Sequence, residues 1–572
     1  MASGRSNSIA EQPKPYPRRA GGYPGAFSVL PSEDGDRTDS PDREVYLQAA
    51  ERLLPAWIKQ LAEASWNEGC PASSQERNQA AARQFGEASA MLAVGLLAEI
   101  DPDRSDRDYL RHIVHDALVR WALNLRSDGR PKSTRVARDG LSAATAGQVV
   151  LLLSETAGYG HELILKEVER HLDWQSRRPV QSPWVEASWA AALADAGVLL
   201  RRRDFLERSR RRLSSLLDRQ DEEGWFPEFG GADIGRLSLT IDALARAYRH
   251  NDWSELREPI QRALTFLTPF VHPDGGIGGC FSSAGTAFLS PAGVELLADE
   301  FPDAAYLAAD ARRVFVSTND LAYLTADGLL GSTLGAAGLL AIDHHRRPTV
   351  DASLPPHALF GRFHYPRAGW TVISTAAYYA VLDEKRGGLL RVSWRDGAPP
   401  FADSGATILI DGGTLGAIPE HLHGAWRSDH RFECTGRLRP ASHHAAGGAP
   451  PTGGLRRLLD RLKNSWRAGF REDSRCTPLP DERIPLNGFR REISFEPHTI
   501  RLWDEVRLAF PVEALLFSGE ARWVAPPFMD RLGGMVPSHA PFVVEGGRRI
   551  RVVRVYREGR LVDSRTEREG VM

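Results

Sequence analysis

The spacing of hydrophobic residues changes once along this chain of 572 residues, close to His344. Before that point apolar residues recur every three or four positions, and the segment from Ile234 to Tyr248 places its apolar residues on one face of a helix. After the Pro-rich stretch HHRRPTVDASLPP, short runs of Val, Ile, Leu and Tyr alternate with turn residues. This change predicts a helical domain over 45–343, a linker over 344–356 and an antiparallel all-β domain over 357–572.

Acidic-Gly turns recur within the helical part, at Gly129, Gly224, Gly275 and Gly328. They are separated by 95, 51 and 53 residues, and the first gap fits two repeats with one degenerate turn. A period of about 50 residues is typical of one helical hairpin per repeat. We therefore predict an (α/α) toroid of hairpins, in which the loops gather at one end and line a cleft.

The second half predicts a β-sandwich that carries an insertion. Predicted strands include Trp370–Thr375, Ala377–Asp383, Gly388–Trp394, Ala406–Asp411, Phe489–Phe495, Thr499–Leu508 and Val512–Gly519, with two more near Phe542 and Val552. Residues 442–470 break the pattern with a Gly-Pro-rich loop followed by a basic amphipathic segment, interpreted as a solvated surface helix. Residues 1–44 are polar and rich in Pro and Gly, which favours a disordered arm.

Composition excludes several classes of function. The net charge is −2, so nothing indicates a nucleic-acid partner. The four cysteines are scattered, which argues against a zinc site and against a disulfide framework. The N-terminus lacks the apolar core of a signal peptide, and no apolar run reaches membrane-spanning length. We expect a cytoplasmic protein without membrane insertion, metal or cofactor.

One cluster of chemically capable residues lies in GWFPEFGGADIGR, which supplies Trp225, Glu228, Asp233 and Arg236. The cluster sits on a Gly-rich loop that leads into a helix N-terminus. Asp233 suits a ligand site, but it equally suits an N-cap with Arg236 as its surface partner. Both interpretations stay open at this point.

A second cluster follows in the next repeat, with His272, Asp274 and the hydroxyl-rich loop that carries Ser282, Ser283 and Thr286. Hydroxyl groups there offer donors and acceptors to a sugar. A tight Asp-Gly-Gly turn and a structural histidine are the simpler interpretation.

Aromatic and basic residues elsewhere add further candidates. Trp184 and Glu186 lie in a helical segment, and a Trp there could stack on a sugar face but is more often part of a core. In the β-domain the candidates are Tyr378, Tyr379, Arg391, Arg427 and His430. Side chains alternate along a strand, so at most one of the two adjacent tyrosines faces a cleft.

The order of a helical toroid followed by a β-sandwich resembles the heparinase II/III-like polysaccharide lyases and the related uronyl C5-epimerases. Three stretches carry the resemblance: YPRAGWTVISTAAYYAVLD, FADSGATILIDGGTLG and RSDHRFECTG. EFGGADIGR and HPDGGIGG also look like uncharacterised bacterial proteins associated with polysaccharide gene clusters. In one respect the sequence departs from the lyase pattern, because Phe401 stands where a histidine is expected, while Asp403 and Ser404 remain.

The resemblance implies chemistry on an acidic, uronate-containing polysaccharide by β-elimination or C5-epimerisation. Both reactions begin with removal of the C5 proton, which requires a base and a group that neutralises the sugar carboxylate. Candidate catalytic residues are His272, Tyr378, Asp233 and Glu228, and candidate substrate-binding residues are Trp225, Arg236, Trp184, Glu186, Arg427 and His430. The favoured scheme makes Arg236 the carboxylate partner, held by Asp233.

Two other classes of function remain open. Glu228 with Asp233 or Asp274 would serve as the carboxylate pair of a glycoside hydrolase. A glycan-binding protein of a polysaccharide assembly system would explain the missing histidine. A terpene-cyclase-like protein fits less well, because the chain has no Asp-rich acid motif and that fold has no β-sandwich.

Overall fold

The structure is a computed structural model of the full chain. It describes residues 41–64, 74–132, 141–156, 158–228, 230–251, 253–273, 277–279, 281–283, 286–317, 328–344, 359–385, 387–398, 400–403, 406–410, 413–440, 488–508, 514–517, 542–545, 549–558 and 560–569. The predicted insertion, most of the predicted arm and linker, Asp274, Ser404 and three of the four cysteines lie outside these ranges.

Helices make up the described part of the chain up to His344. They are α1 (Pro41–Ala62), α2 (Ser74–Ile100), α3 (Arg107–Leu123), α4 (Leu141–Glu155), α5 (Glu162–Gln175), α6 (Pro183–Leu199), α7 (Arg203–Leu217), α8 (Ile234–Asn251), α9 (Arg257–Leu267), α10 (Pro291–Leu297), α11 (Pro302–Ser317) and α12 (Gly328–His344). Short 3₁₀ turns at Ser254–Leu256 and Thr268–Phe270 flank α9. The first helix begins inside the predicted arm, at a proline, which is well tolerated in the first turn of a helix.

The even-numbered helices form a closed inner ring. Each of α2, α4, α6, α8, α10 and α12 packs against the next, and α12 returns to α2. Each odd-numbered helix from α3 to α11 packs outside the even-numbered helix that precedes it, and α1 packs against both α12 and α2. Every connection from an outer to an inner helix therefore leaves the ring at the same end. The predicted toroid of helical hairpins is confirmed.

The repeated Gly turns belong to these outer-to-inner connections. Gly129 and Gly224 have positive φ angles of 82° and 104°. A Cβ at either position would collide with a backbone carbonyl of the next outer helix, at Arg170 and Arg262 respectively. Glycine is required there both for the backbone conformation and for the close approach. The sequence repeat thus marks equivalent turns in two hairpins.

Strands make up the described chain after Phe360. They are β1 (Gly361–Tyr365), β2 (Trp370–Ser374), β3 (Tyr378–Asp383), β4 (Leu389–Trp394), β5 (Phe401–Asp403), β6 (Ala406–Ile410), β7 (Gly413–Ser428), β8 (Arg431–Pro440), β9 (Gly488–Glu496), β10 (Thr499–Arg507), β11 (Ala514–Phe517), β12 (Phe542–Glu545), β13 (Arg549–Arg557) and β14 (Arg560–Glu569). All their pairings are antiparallel, and the predicted strands agree with the observed ones to within one or two residues at most ends.

Two sheets form successive layers beside the helical ring. The first has the order β1-β2-β3-β4-β5, and the second has the order β12-β11-β6-β7-β8-β9-β10-β13-β14. One hydrophobic cluster joins the first sheet to the second, with Leu390 and Val392 packed among Phe432, Ile493 and their neighbours. The predicted sandwich therefore has a shared core.

The opposite face of the first sheet packs on the helical domain. Trp370 stacks on Phe266 with 5.8 Å between ring centroids, and it meets Phe270 and Phe281 edge-on at 4.9 and 5.0 Å. Polar contacts reinforce this junction, because the Glu223 carboxylate accepts the backbone N–H groups of Arg367 and its neighbour at 2.7 and 2.9 Å. The sheet is thereby fixed against the loop end of the ring. No helix among the described residues is both long and apolar enough to cross a membrane.

Candidate functional site

Two loops at the sheet-facing end of the ring carry the two residue clusters that the sequence analysis singled out. They connect α7 to α8 and α9 to α10, and they bind each other through backbone and hydroxyl groups. Ser283 donates its N–H to Ala232 at 2.8 Å, and the Gly235 N–H reaches the Thr286 hydroxyl at 2.8 Å. Gly235 has no room for a side chain, since a Cβ there would lie 2.7 Å from the ring of Phe288. The two sequence clusters therefore form one structural unit.

Glu228 is the most highly connected carboxylate in this unit. It is 3% exposed and accepts hydrogen bonds from the Ser182 hydroxyl at 2.9 Å, the Trp184 N–H at 2.8 Å and the Arg236 guanidinium at 3.1 Å. It thus caps the N-terminus of α6 from a neighbouring loop. Burial raises the pKa of Glu228, and the Arg236 charge opposes that rise. Ser182, which the sequence analysis missed, precedes Pro183 in the pattern of a helix start.

Asp233 caps α8, as one of the two open interpretations predicted. Its carboxylate accepts the Arg236 backbone N–H at 3.1 Å and the Thr286 hydroxyl at 2.7 Å. The side chain is 1% exposed. The predicted cap is confirmed, but Arg236 is not its surface partner, because Arg236 is buried and its guanidinium pairs with Glu228. A catalytic role for Asp233 stays a prediction.

Arg236 lies inside the unit and is 1% exposed. Its guanidinium pairs with Glu228. We had expected Arg236 to be an accessible partner for a substrate carboxylate. The structure instead matches its charge with a carboxylate of the chain, because the loop folds back and brings residue 228 beside the first turn of α8. Substrate would reach this guanidinium only if the pair opened.

His272 lies at the junction of the α9–α10 loop with the first sheet. Its Nε2 is 2.8 Å from the Gly278 carbonyl oxygen, which only accepts hydrogen bonds, so Nε2 must carry the proton. Proton acceptance would then fall to Nδ1. The ring meets Phe281 and Tyr379 edge-on, at centroid distances of 6.1 and 6.3 Å.

The two adjacent tyrosines of β3 face opposite ways. Tyr378 lies in the core between the sheets, stacks edge-on against Trp394 and donates its hydroxyl to the Glu496 carbonyl at 2.8 Å. Tyr379 faces the helical domain, beside His272, and donates its hydroxyl to the Pro269 carbonyl. Tyr378, the tyrosine predicted as catalytic, thus lies on the face turned away from the helical ring, and its catalytic role stays a prediction. Alternation along the strand fixes only that the two tyrosines face opposite ways. Burial raises the pKa of both hydroxyls, so both stay protonated at neutral pH.

Arg391 of β4 is the sheet residue that reaches the loop unit. Its side chain is 5% exposed, and a Cβ on Gly279 would lie 3.4 Å from its guanidinium. Gly279 in turn donates its N–H to the Thr286 carbonyl at 2.8 Å. A continuous set of contacts thus runs from Arg391 through the α9–α10 loop to Asp233.

The predicted aromatic and acidic binding residues of the ring lie in the core. Trp184 is 4% exposed and packs edge-on against Phe85 at 5.6 Å. Trp225 is 8% exposed and donates its indole N–H to Glu223 at 3.1 Å. Neither ring offers a face to a sugar in this conformation. Glu186 pairs with Arg212 at 2.7 Å, and burial raises its pKa against the opposing charge of that arginine.

Arg427 and His430 lie elsewhere, on the β7–β8 hairpin of the second sheet. Both are exposed, and Arg427 pairs with Glu433 on β8 at 2.9 Å. The structure does not bring them into the loop unit. Their assignment to substrate binding stays a prediction.

Asp403 belongs to the core between the two sheets. It joins Arg491, Arg554 and Asp504 in a cluster of four charges, in which both aspartates bind both arginines. Each of the four residues is at most 3% exposed. Phe401, in the place of the expected histidine, stacks on Tyr556 at 4.5 Å. No group of three or more His, Cys, Asp or Glu side chains in the described ranges is arranged to hold a metal ion.

No protein-family model matches the sequence, and no curated protein matches it. Among solved structures the chain is similar to a Streptomyces coelicolor A3 chondroitin AC lyase in complex with chondroitin sulphate, with 13% identity over 85% of this chain and 69% of that chain and a TM-score of 0.49. It is also similar to heparan sulfate lyase HepC from Pedobacter heparinus, with 12% identity over 82% and 76% and a TM-score of 0.35.

A third similar structure is the GH127 β-arabinofuranosidase BT3674, with 12% identity over 69% of this chain and 66% of that chain and a TM-score of 0.31. The structural neighbours thus include polysaccharide lyases and a glycosidase. Likenesses this distant concern the fold and carry no argument about chemistry. The case for a function therefore rests on the residues of this chain.

Proposed function

We propose that the chain acts on an acidic, uronate-containing polysaccharide at the loop end of the helical ring, where the first sheet covers it. The observation that carries this proposal is the meeting of His272 and Tyr379 at that junction, with Arg391 in contact with the same loop. The three residues come from both domains and supply an imidazole, a phenol and a guanidinium. Elimination requires a base for the C5 proton, a partner for the sugar carboxylate and an acid for the leaving oxygen on C4, and this set supplies one of each.

The protonation states assign the roles. Burial keeps the Tyr379 hydroxyl protonated by raising its pKa, and this hydroxyl would be the proton donor to the leaving oxygen on C4. His272, whose Nε2 donates to the Gly278 carbonyl, would be the base that accepts the C5 proton. Arg391 would pair with the sugar carboxylate and stabilise the charge that develops when the C5–H bond breaks.

All three residues are at least 95% buried, so substrate must gain entry by a movement of the loops. Closure over bound substrate would exclude water from the reacting carbons.

Lyase and epimerase chemistry share the first step and differ in the second. Elimination breaks the C4–O bond and leaves a C4–C5 double bond, whereas epimerisation returns a proton to C5 from the opposite face of the ring. Epimerisation needs an acid on the face of C5 opposite the base, whereas His272 and Tyr379 lie side by side, with 6.3 Å between ring centroids and no room for a sugar ring between them. We therefore place elimination ahead of epimerisation.

A hydrolase is the second candidate, and the raised pKa of Glu228 is the observation that favours it. A carboxyl with a raised pKa suits a general acid. Against it, Glu228 and Asp233 are both committed to helix caps and buried hydrogen bonds.

Incubation of the purified chain with chondroitin, heparosan and alginate oligosaccharides in D₂O separates these functions. Elimination produces the ultraviolet absorbance of the C4–C5 double bond, and epimerisation places deuterium at C5 without shortening the chain. Hydrolysis releases reducing ends without that absorbance. We expect the elimination product, and binding with no product would identify a glycan-binding protein instead.

A further inference from the structure

The outer face of the second sheet carries a surface depression with a volume of about 560 Å³. It spans strands β9, β10, β13 and β14, and their register places Trp503 directly between Glu492 and Val553. We call this surface the Trp503 face. Its lining residues are Arg490, Glu492, Arg501, Trp503, Val553, Val555, Asp563 and Arg565.

Trp503 forms the apolar centre of this face. The side chain is half-buried, and it points away from the core because its neighbours Leu502 and Asp504 face inward. The Arg490 guanidinium lies 5.6 Å from the centre of its ring. Its indole N–H has no hydrogen-bond partner among the residues that the structure describes. A flat ring with an available N–H offers stacking to a sugar together with a hydrogen bond to a hydroxyl.

The charges on the Trp503 face do not balance. Three ion pairs account for most of them: Arg431 with Glu492, Arg490 with Glu433, and Arg565 with Asp563. Arg501 is exposed at the rim of the depression and forms no ion pair within the described ranges. One guanidinium beside an apolar ring is therefore available to an anion.

We propose that the Trp503 face is a second binding surface, separate from the loop end of the ring, and that it takes an anionic sugar. Trp503 stacks on the apolar face of the sugar ring, and Arg501 pairs with a carboxylate or sulfate group two strand positions away. Arg490 and Glu492 border the ring and offer further hydrogen bonds. The choice of a sugar among anionic ligands rests on the proposed function. The stacking and the charge rest on this face alone.

The test is calorimetric titration of the full chain with a chondroitin sulfate tetrasaccharide, alongside Trp503→Ala, Arg501→Ala and a charge-matched control. Arg211→Ala serves as the control, since Arg211 is exposed on α7 and its removal changes the net charge equally. We expect Trp503→Ala to weaken binding about tenfold, since that ratio corresponds to the loss of one stacking contact. Arg501→Ala should give a smaller loss that disappears at high salt, while the control binds like the parent.

Radical footprinting gives a local measurement on the same samples. The tetrasaccharide should protect Trp503 from oxidation in the parent, and a neutral maltotetraose should not. Equal affinity in the parent and both sheet variants overturns the proposal, as does a parent that binds no tetrasaccharide. Turnover assays on the same proteins distinguish this failure from failure of the proposed function. If the two sheet variants form product and bind the tetrasaccharide as the parent does, only the proposal for the Trp503 face is refuted. Dimerisation that depends on Trp503, without protection by sugar, would identify a self-association surface and also overturn it.

Discussion

Replacement of Glu228 by Ala should destabilise the helical domain more than any exposed substitution in the same loop. The change leaves the Arg236 guanidinium, 1% exposed, without its carboxylate. An uncompensated buried charge costs about 3–5 kcal/mol. The Trp184 N–H at the start of α6 also loses its acceptor, at about 1 kcal/mol or more. We expect the free energy of unfolding to fall by about 4 kcal/mol.

The opposite replacement, Arg236→Met, should cost less. The Glu228 carboxyl keeps its bonds from Ser182 and Trp184, and its pKa is already raised by burial, so it can take up a proton. Because the pKa of the Glu228 carboxyl is higher in the folded protein than in the unfolded chain, folding favours its protonated form. The variant therefore regains stability as the pH falls through the pKa of the folded state. We expect a loss of about 2 kcal/mol near neutral pH that shrinks in mild acid.

Urea unfolding followed by the helical circular dichroism signal measures both losses. The double variant Glu228→Ala with Arg236→Met should lose less than the sum of the single changes, with a coupling of about 2 kcal/mol. Glu222→Ala is the matched control, since its exposed side chain should cost within about 0.5 kcal/mol. Strict additivity, or a loss for Glu228→Ala equal to that of the control, would refute the buried pair.

Three further predictions follow from single contacts. Asp233→Ala should lower the free energy of unfolding by about 3 kcal/mol, because it removes a helix cap and leaves a buried N–H and a buried hydroxyl without an acceptor. Asp233→Asn should lower it by only about 1 kcal/mol. Equal losses for the two variants in chemical denaturation would contradict the capping geometry. Burial lowers the pKa of His171 from 6.5 to about 4. Its contribution to the free energy of unfolding is therefore complete above pH 6.5, and about 3 kcal/mol is lost as the pH falls to 4. If His171→Asn leaves the dependence of stability on pH unchanged, this prediction is wrong. Glu223→Ala should speed hydrogen exchange at the Arg367 and Ala368 amides about tenfold or more, because both amides lose their carboxylate acceptor. Unchanged exchange rates would show that the junction between the ring and the first sheet does not depend on the Glu223 carboxylate.

The order of domains follows from the sequence because helices and strands have different hydrophobic periods. The Gly turns predicted the hairpin repeat for a physical reason, since a side chain at Gly129 or Gly224 would collide with the next outer helix. The long hairpin of β7 and β8 was not among the predicted strands. Strand β7 carries Pro419 and two histidines, which weaken the alternation typical of a strand.

The site was predicted less well than the fold because its contacts join distant parts of the chain. The cap formed by Asp233 is local and could be anticipated. The partner of Arg236 depends on how the preceding loop folds back, and a linear pattern does not encode that path. Likewise, alternation showed that Tyr378 and Tyr379 face opposite ways, but only the position of the helical domain decides which one meets His272.

Turnover of acidic oligosaccharides by paired tyrosine variants tests the central claim most directly. Tyr379→Phe removes the hydroxyl beside His272, and Tyr378→Phe removes the hydroxyl on the opposite face of the same strand. A positioned general acid contributes about a hundredfold or more to the rate. We predict that Tyr379→Phe lowers the rate of double-bond formation by about that factor, while Tyr378→Phe keeps the parental rate. Equal rates for both variants, or a selective loss in Tyr378→Phe, would contradict the placement of the active site between the helical ring and the first sheet.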